Sequence, residues 1–77
     1  MSIYLKDFVL KIAEEHGVKL LSYTKDAVRD AERELEKNHS IAVEDVIAML
    51  KKKDELRKGF TRNDWEKIEK EIKKMTK

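Results

Sequence analysis

Residues 60–75 read Phe-Thr-Arg-Asn-Asp-Trp-Glu-Lys-Ile-Glu-Lys-Glu-Ile-Lys-Lys-Met, and this stretch decides the fold class. Thr61 and Asp64 stand at the N-cap and N3 positions of a helix. This is a variant of the capping box, in which each side chain satisfies the other's free backbone N–H. Phe60 and Trp65 flank them at N′ and N4, the spacing of a hydrophobic staple. Downstream, Trp65, Ile68, Ile72 and Met75 recur on one helical face. Glu66→Lys70 and Glu69→Lys73 are acid-first i, i+4 pairs, worth a few tenths of a kcal/mol each. The pattern predicts a helix over 61–75.

Working back from Phe60, Gly59 marks the end of an earlier helix. Val43, Val46, Ile47 and Leu50 fall at i, i+3, i+4, i+7, and Glu44 and Asp45 suit the positive end of a helix dipole. Leu56 lies seven residues after Met49, so this helix is expected over 42–58. Before it, Thr24 reads as the N-cap of a helix over 25–38 with a narrow inner face of Ala27, Val28, Ala31 and Leu35. Its outer face carries Asp26 with Arg29, Asp30 with Arg33 and Glu34 with Lys37, and Asn38 closes it. At the other end of the chain, Leu5, Phe8, Val9 and Ile12 form one apolar stripe, predicting a helix over 3–16 with Ser2 as its N-cap. Gly17 can take the left-handed conformation that stops a helix, with Val18 as its apolar follower. Leu20 and Leu21, in an apolar connection from Val18 to Tyr23, are expected to plug the core. No segment alternates as a strand does. The expectation is a single all-α domain over 1–77, a compact four-helix bundle with helices at about 3–16, 25–38, 42–58 and 61–75.

Composition narrows the function classes. Seventy-seven residues allow one domain with a small core, built from six Ile, seven Leu, five Val, two Phe and one Trp. The chain has no cysteine, which excludes disulfides, thiolate chemistry and Cys-based zinc sites. No apolar run approaches the ~20 residues that span a bilayer and no signal-peptide core is visible, so no membrane association and a cytoplasmic location are expected. Charged residues are 44% of the chain, and Gln is absent, a bias shared with heat-adapted proteins.

The remaining side chains give catalysis little to use. Serines and threonines sit at turns and caps, which explains them without chemistry. His16 and His39 lie near helix ends, where an imidazole favours the negative end of the dipole. Most carboxylates have Lys or Arg one helical turn away, which keeps them ionised. There is no glycine-rich phosphate loop. The expectation is a binding protein, not an enzyme, with no catalytic residues, metal or cofactor.

Charge is unevenly placed. Residues 1–49 carry seven Lys/Arg against ten Asp/Glu, and residues 50–77 carry eleven against six, a balance of +5. Lys51, Lys52, Lys53, Arg57, Lys58 and Arg62 crowd the junction before the last helix, and Lys67, Lys70, Lys73, Lys74 and Lys77 continue along it. Such a strip can neutralise phosphates, with affinity that falls steeply as salt rises. Arg62 and Asn63, in a first helical turn, are placed to reach base edges. The candidate nucleic-acid-binding residues are therefore Lys51, Lys52, Lys53, Arg57, Lys58, Arg62, Asn63, Lys67 and Lys70. Asp54, Glu55, Asp64, Glu66, Glu69 and Glu71 interrupt the strip, and a merely solvated helix face has the same appearance. Trp65 has two readings: a core residue completing the staple, or an exposed platform for a single-stranded base. The alternative function is protein docking or self-association, with charges that only confer solubility.

Two families share parts of this pattern. Ser40-Ile41-Ala42-Val43-Glu44-Asp45-Val46 looks like the loop and third helix of a histone fold, although residues 25–38 make a helix about half as long as the histone's central one. Gly17, Leu20-Leu21, Thr24, Ala27, Ser40-Ile41, Val43-Glu44 and Phe60-Thr61 match in order the four-helix lid of AAA+ ATPases, and the similar N-terminal domain of DNA polymerase small subunits. The second resemblance implies a recruitment or docking module, often in DNA replication, and no ATPase activity. A helix-turn-helix with the last helix in the major groove is a third pattern, for which the Lys51–Phe60 connection is long unless the preceding helix extends through it.

Overall fold

Residues 5–76 are described by a computed structural model. Five helices follow one another: α1 (Leu5–Glu15), α2 (Ser22–Lys37), α3 (Val43–Lys51), α4 (Asp54–Gly59) and α5 (Arg62–Met75). There is no strand among the described residues. The start expected at residue 3 and the Ser2 cap lie outside them.

One core unites the helices. Leu5, Val9 and Ile12 of α1 meet Val28, Ala31 and Leu35 of α2, Val46 and Leu50 of α3, Leu56 of α4 and Ile68 and Ile72 of α5, all fully or nearly fully buried. α1 packs on α2 and α5, and α3 packs on α2, α4 and α5. α1 ends in a Schellman motif: Val18 N–H donates to Ala13 O at 2.8 Å and Gly17 N–H to Glu14 O at 3.1 Å. Gly17 has φ +68°, the left-handed conformation its sequence position implied. Gly59 does not share that role. It ends α4 without a positive φ, and a Cβ there would stand 2.9 Å from Cγ2 of Val18. Its lack of a side chain lets Val18 approach.

Two boundaries differ from expectation. The helix expected over 42–58 is two helices, broken at Lys52–Lys53. Lys53 is extended (φ −91°, ψ 119°) and its carbonyl accepts from Leu56 and Arg57, restarting the helix as α4. Leu50 and Leu56 are both fully buried. At about 100° per residue, a straight helix would point them some 120° apart, so the bend is what sends both into one core. The Met49–Leu56 spacing misled because Met49 is only half-buried and the core residue is Leu50.

The second helix begins at Ser22, three residues earlier than expected. Thr24 is therefore not its N-cap but a buried residue of its first turn. Leu20 enters the core, whereas Leu21 is exposed. Of the three charge pairs expected on the outer face of α2, only Asp30–Arg33 closes among the described residues, at 3.9 Å.

Candidate nucleic-acid interface

The basic strip is built on two turns, and local packing places each cation. Lys51 and Lys52 end α3, where the free carbonyls favour positive charge. Arg57 and Lys58 sit in the last turn of α4 for the same reason. These four positions have a structural explanation. Arg62 does not. It occupies the first turn of α5, where the dipole disfavours a cation, and no carboxylate pairs with it among the described residues.

The three consecutive lysines divide between two aromatic rings. The Lys51 ammonium lies 5.2 Å from the centroid of Trp65, and that of Lys53 lies 5.0 Å from the centroid of Tyr23. Such cation–π contacts are worth roughly 0.5–1 kcal/mol at exposed sites. Lys52, between them, is exposed. Lys58, Arg62, Asn63, Lys67 and Lys70 are exposed as well. Among the described residues, no carboxylate lies within ion-pairing distance of Lys52, Lys58, Arg62, Lys67 or Lys70. Arg57 is held by Asp54, Lys73 by Glu69 at 3.3 Å and Lys74 by Glu71 at 3.1 Å. The expected Glu66–Lys70 pair does not form.

Most of the acids expected to oppose phosphate are otherwise engaged. Asp64 is buried beneath the first turn of α5. Its Oδ2 accepts from Thr61 N–H at 2.8 Å and Thr61 Oγ1–H at 3.0 Å, and lies 2.7 Å from Nε2 of His16. Burial raises the Asp64 pKa, but the two Thr61 donors and His16 together outweigh it and hold the carboxyl below its ordinary value of 3.8. Glu55 turns away to the start of α2. It accepts from Leu21 N–H at 2.7 Å and from the Thr24 hydroxyl. The Thr24 bond is the chief cause that lowers its pKa from 4.5, followed by the Leu21 N–H; burial opposes, and the Tyr23 hydroxyl and Lys53 add to the lowering. With Asp54, Glu69 and Glu71 in pairs, Glu66 alone of the six stands on the strip exposed and without a cation partner among the described residues.

Trp65 is half-buried and tilted 50° against Phe60, with centroids 5.6 Å apart, as the staple requires. Among the described residues, the exposed ring is Tyr23 instead, 57% accessible. Sequence reasoning passed it over as part of an apolar connection. The usable signal was the stripe of α2 continued backwards: Leu35, Ala31 and Val28 lead one turn earlier to Thr24, which leaves Tyr23 off the buried face. His16 joins the end of α1 to Asp64, and Nδ1 of His39 lies 3.3 Å from Met75 O.

No three His, Asp or Glu side chains converge as metal ligands among the described residues. Two open clefts are present, one beside α3 and α5 (Val43, Ile47, Ala48, Lys51), the other between the end of α1 and the start of α2 (Leu10, Ala13, Val18, Leu20). No Ser, Thr or His lines either. No described helix is long and apolar enough to cross a membrane. No known protein family, curated protein or solved structure matches this chain.

Proposed function

We propose that this chain is a small non-enzymatic binding protein, a DNA-associated accessory factor that contacts phosphates with the basic surface running from the α3–α4 turn along α5. One observation carries this reading. Among the described residues, Lys52, Lys58, Arg62, Lys67 and Lys70 are exposed with no acid paired to them, while of the acids that interrupt the strip in sequence Asp64 is buried and Glu55 is bonded to the start of α2. Arg62 adds a specific argument. Its place at the positive end of α5 has no local electrostatic benefit, and a bound phosphate supplies one.

The competing reading is a protein-docking module. The apolar cleft of Val43, Ile47 and Ala48 favours it. A salt titration with duplex DNA separates the two. The DNA reading predicts low-micromolar or tighter binding at ~50 mM salt that is lost by ~300 mM. The Lys52→Glu/Lys58→Glu variant should bind at least tenfold more weakly with an unchanged helical spectrum, in keeping with a dominant phosphate contribution. No binding at low salt would remove the proposal and leave the docking module.

A further inference from the structure

Tyr23 is a large ring outside the core, in the first turn of α2, where burial does not explain it. Its surroundings are not those of a random surface tyrosine. Glu55 of α4 grips both Leu21 and Thr24, so the first turn of α2 is fastened to the start of α4, directly after the Lys51–Lys53 turn. The ring is thereby held beside Lys53, the last of three consecutive lysines, whose ammonium lies 5.0 Å from its centroid. The nearest carboxylate, Glu55, accepts from Leu21 and Thr24 at the start of α2 and is also reached by the Tyr23 hydroxyl. Asp26, one turn further along α2, is the exposed acid closest in sequence. An accessible aromatic face fixed against a cationic turn matches the chemistry of single-stranded nucleic acid, whose bases expose π-faces and whose phosphates are spaced along a flexible backbone. Duplex bases are stacked on one another and offer no face to such a ring.

We infer that Tyr23 and the Lys51–Lys53 turn form a single-strand site, in which an unpaired base stacks on the Tyr23 ring while Lys52 and Lys53 hold the adjoining phosphates. The inference rests on the phosphate-binding reading above and assigns its preferred ligand. A tyrosine ring has two faces, so a base can occupy one while the Lys53 ammonium remains on the other or moves to a phosphate. Ring faces and phosphates are common to DNA and RNA strands, so oligo(dT) and oligo(U) are both ligands of this site.

The test is fluorescence anisotropy at low salt with oligo(dT), oligo(U) and a mixed-sequence duplex of equal length, using the full chain and its Tyr23→Ala, Tyr23→Phe and Lys52→Glu variants. Both single strands should bind more tightly than the duplex. Tyr23→Ala should weaken single-strand binding about tenfold, the loss expected for one stacked base, and leave duplex binding unchanged. Tyr23→Phe should restore the single-strand affinity, because the ring and not the hydroxyl is used. Lys52→Glu should weaken all three ligands. If Tyr23→Ala leaves single-strand binding intact while Lys52→Glu reduces it, the stacking site is refuted and the phosphate reading stands. If no ligand binds the parent chain, both fall together.

Discussion

The starts of α5 and α2 are both capped by a carboxylate and a threonine, yet the two are assembled in opposite ways. At α5 everything is local: Thr61 Oγ1 accepts from Asp64 N–H at 3.2 Å, and Asp64 Oδ2 returns the bond to Thr61 N–H at 2.8 Å. At α2 the N-cap residue is Leu21, which has no side chain able to accept. Glu55, thirty-four residues away, takes Leu21 N–H, the bond that Asp64 makes to Thr61 N–H at α5, and also accepts from the buried Thr24 hydroxyl. α1 uses the same device: Lys6 N–H donates to Glu32 of α2 at 2.9 Å. A helix that caps itself is specified before tertiary structure exists. A helix capped by another element forms its end only when that element docks, and it fastens the two together.

The contrast has measurable consequences. Acidification acts on both ends at once and should have the largest effect. Both Glu55 and Asp64 ionise more readily in the folded chain than in the unfolded one. Their stabilisation is therefore complete above the ordinary values of 4.5 and 3.8, and is lost as pH falls below those values through the lower folded-state pKa values. Urea midpoints measured against pH should show this fall, and it should be much shallower in the Glu55→Gln/Asp64→Asn double variant. A parent profile that is flat through that range would break the account of both caps.

Asp64→Ala comes next. It removes the capping box and leaves His16 without its partner, so a loss of about 2 kcal/mol is expected by urea unfolding. Thr24→Val keeps the shape of the buried side chain and deletes only the hydroxyl that bonds Glu55. It should cost about 1 kcal/mol. Amide exchange should quicken at the start of α2 while the first turn of α5 keeps its protection, and equal quickening at both ends would contradict the independence of the two caps. The smallest effect sharpens the comparison most. Leu21 is exposed, so Leu21→Asp can give α2 a cap of its own. In a Glu55→Ala background it should recover about 0.5 kcal/mol, because an N-cap aspartate accepts locally from the N–H groups of the first turn and so stabilises the helix start without α4.

The same contrast explains what could be read from the amino-acid sequence. The α5 capping box, its staple and the Gly17 stop all depend on residues within six positions of one another, and all three are present in the structure. The start of α2 was misplaced because Thr24 resembles a cap when its neighbours alone are considered, whereas its real partner is Glu55. The α3–α4 break was hidden because Leu56 keeps a helical spacing from Met49, and only the shared burial of Leu50 and Leu56 requires the bend. The strip of lysines was visible in sequence, but its net field was not. That field depends on Asp64 being buried, on Glu55 being bonded to the start of α2, on Arg57 being held by Asp54, and on Lys52, Lys58, Arg62, Lys67 and Lys70 having no paired acid among the described residues. Tyr23 was missed for a related reason: its exposure depends on where α2 begins.

The claim on which the functional account turns is that nucleic acid meets this protein along the α3–α4 turn and the outer side of α5. Amide chemical-shift mapping during titration with oligo(dT) at low salt tests that placement directly. The account predicts shifts concentrated at Tyr23, Lys51–Lys53, Lys58–Asn63, Lys67 and Lys70, reversed by added salt. Shifts confined to the exposed sides of α1 and of α2 beyond its first turn, or no shifts at all, would contradict it.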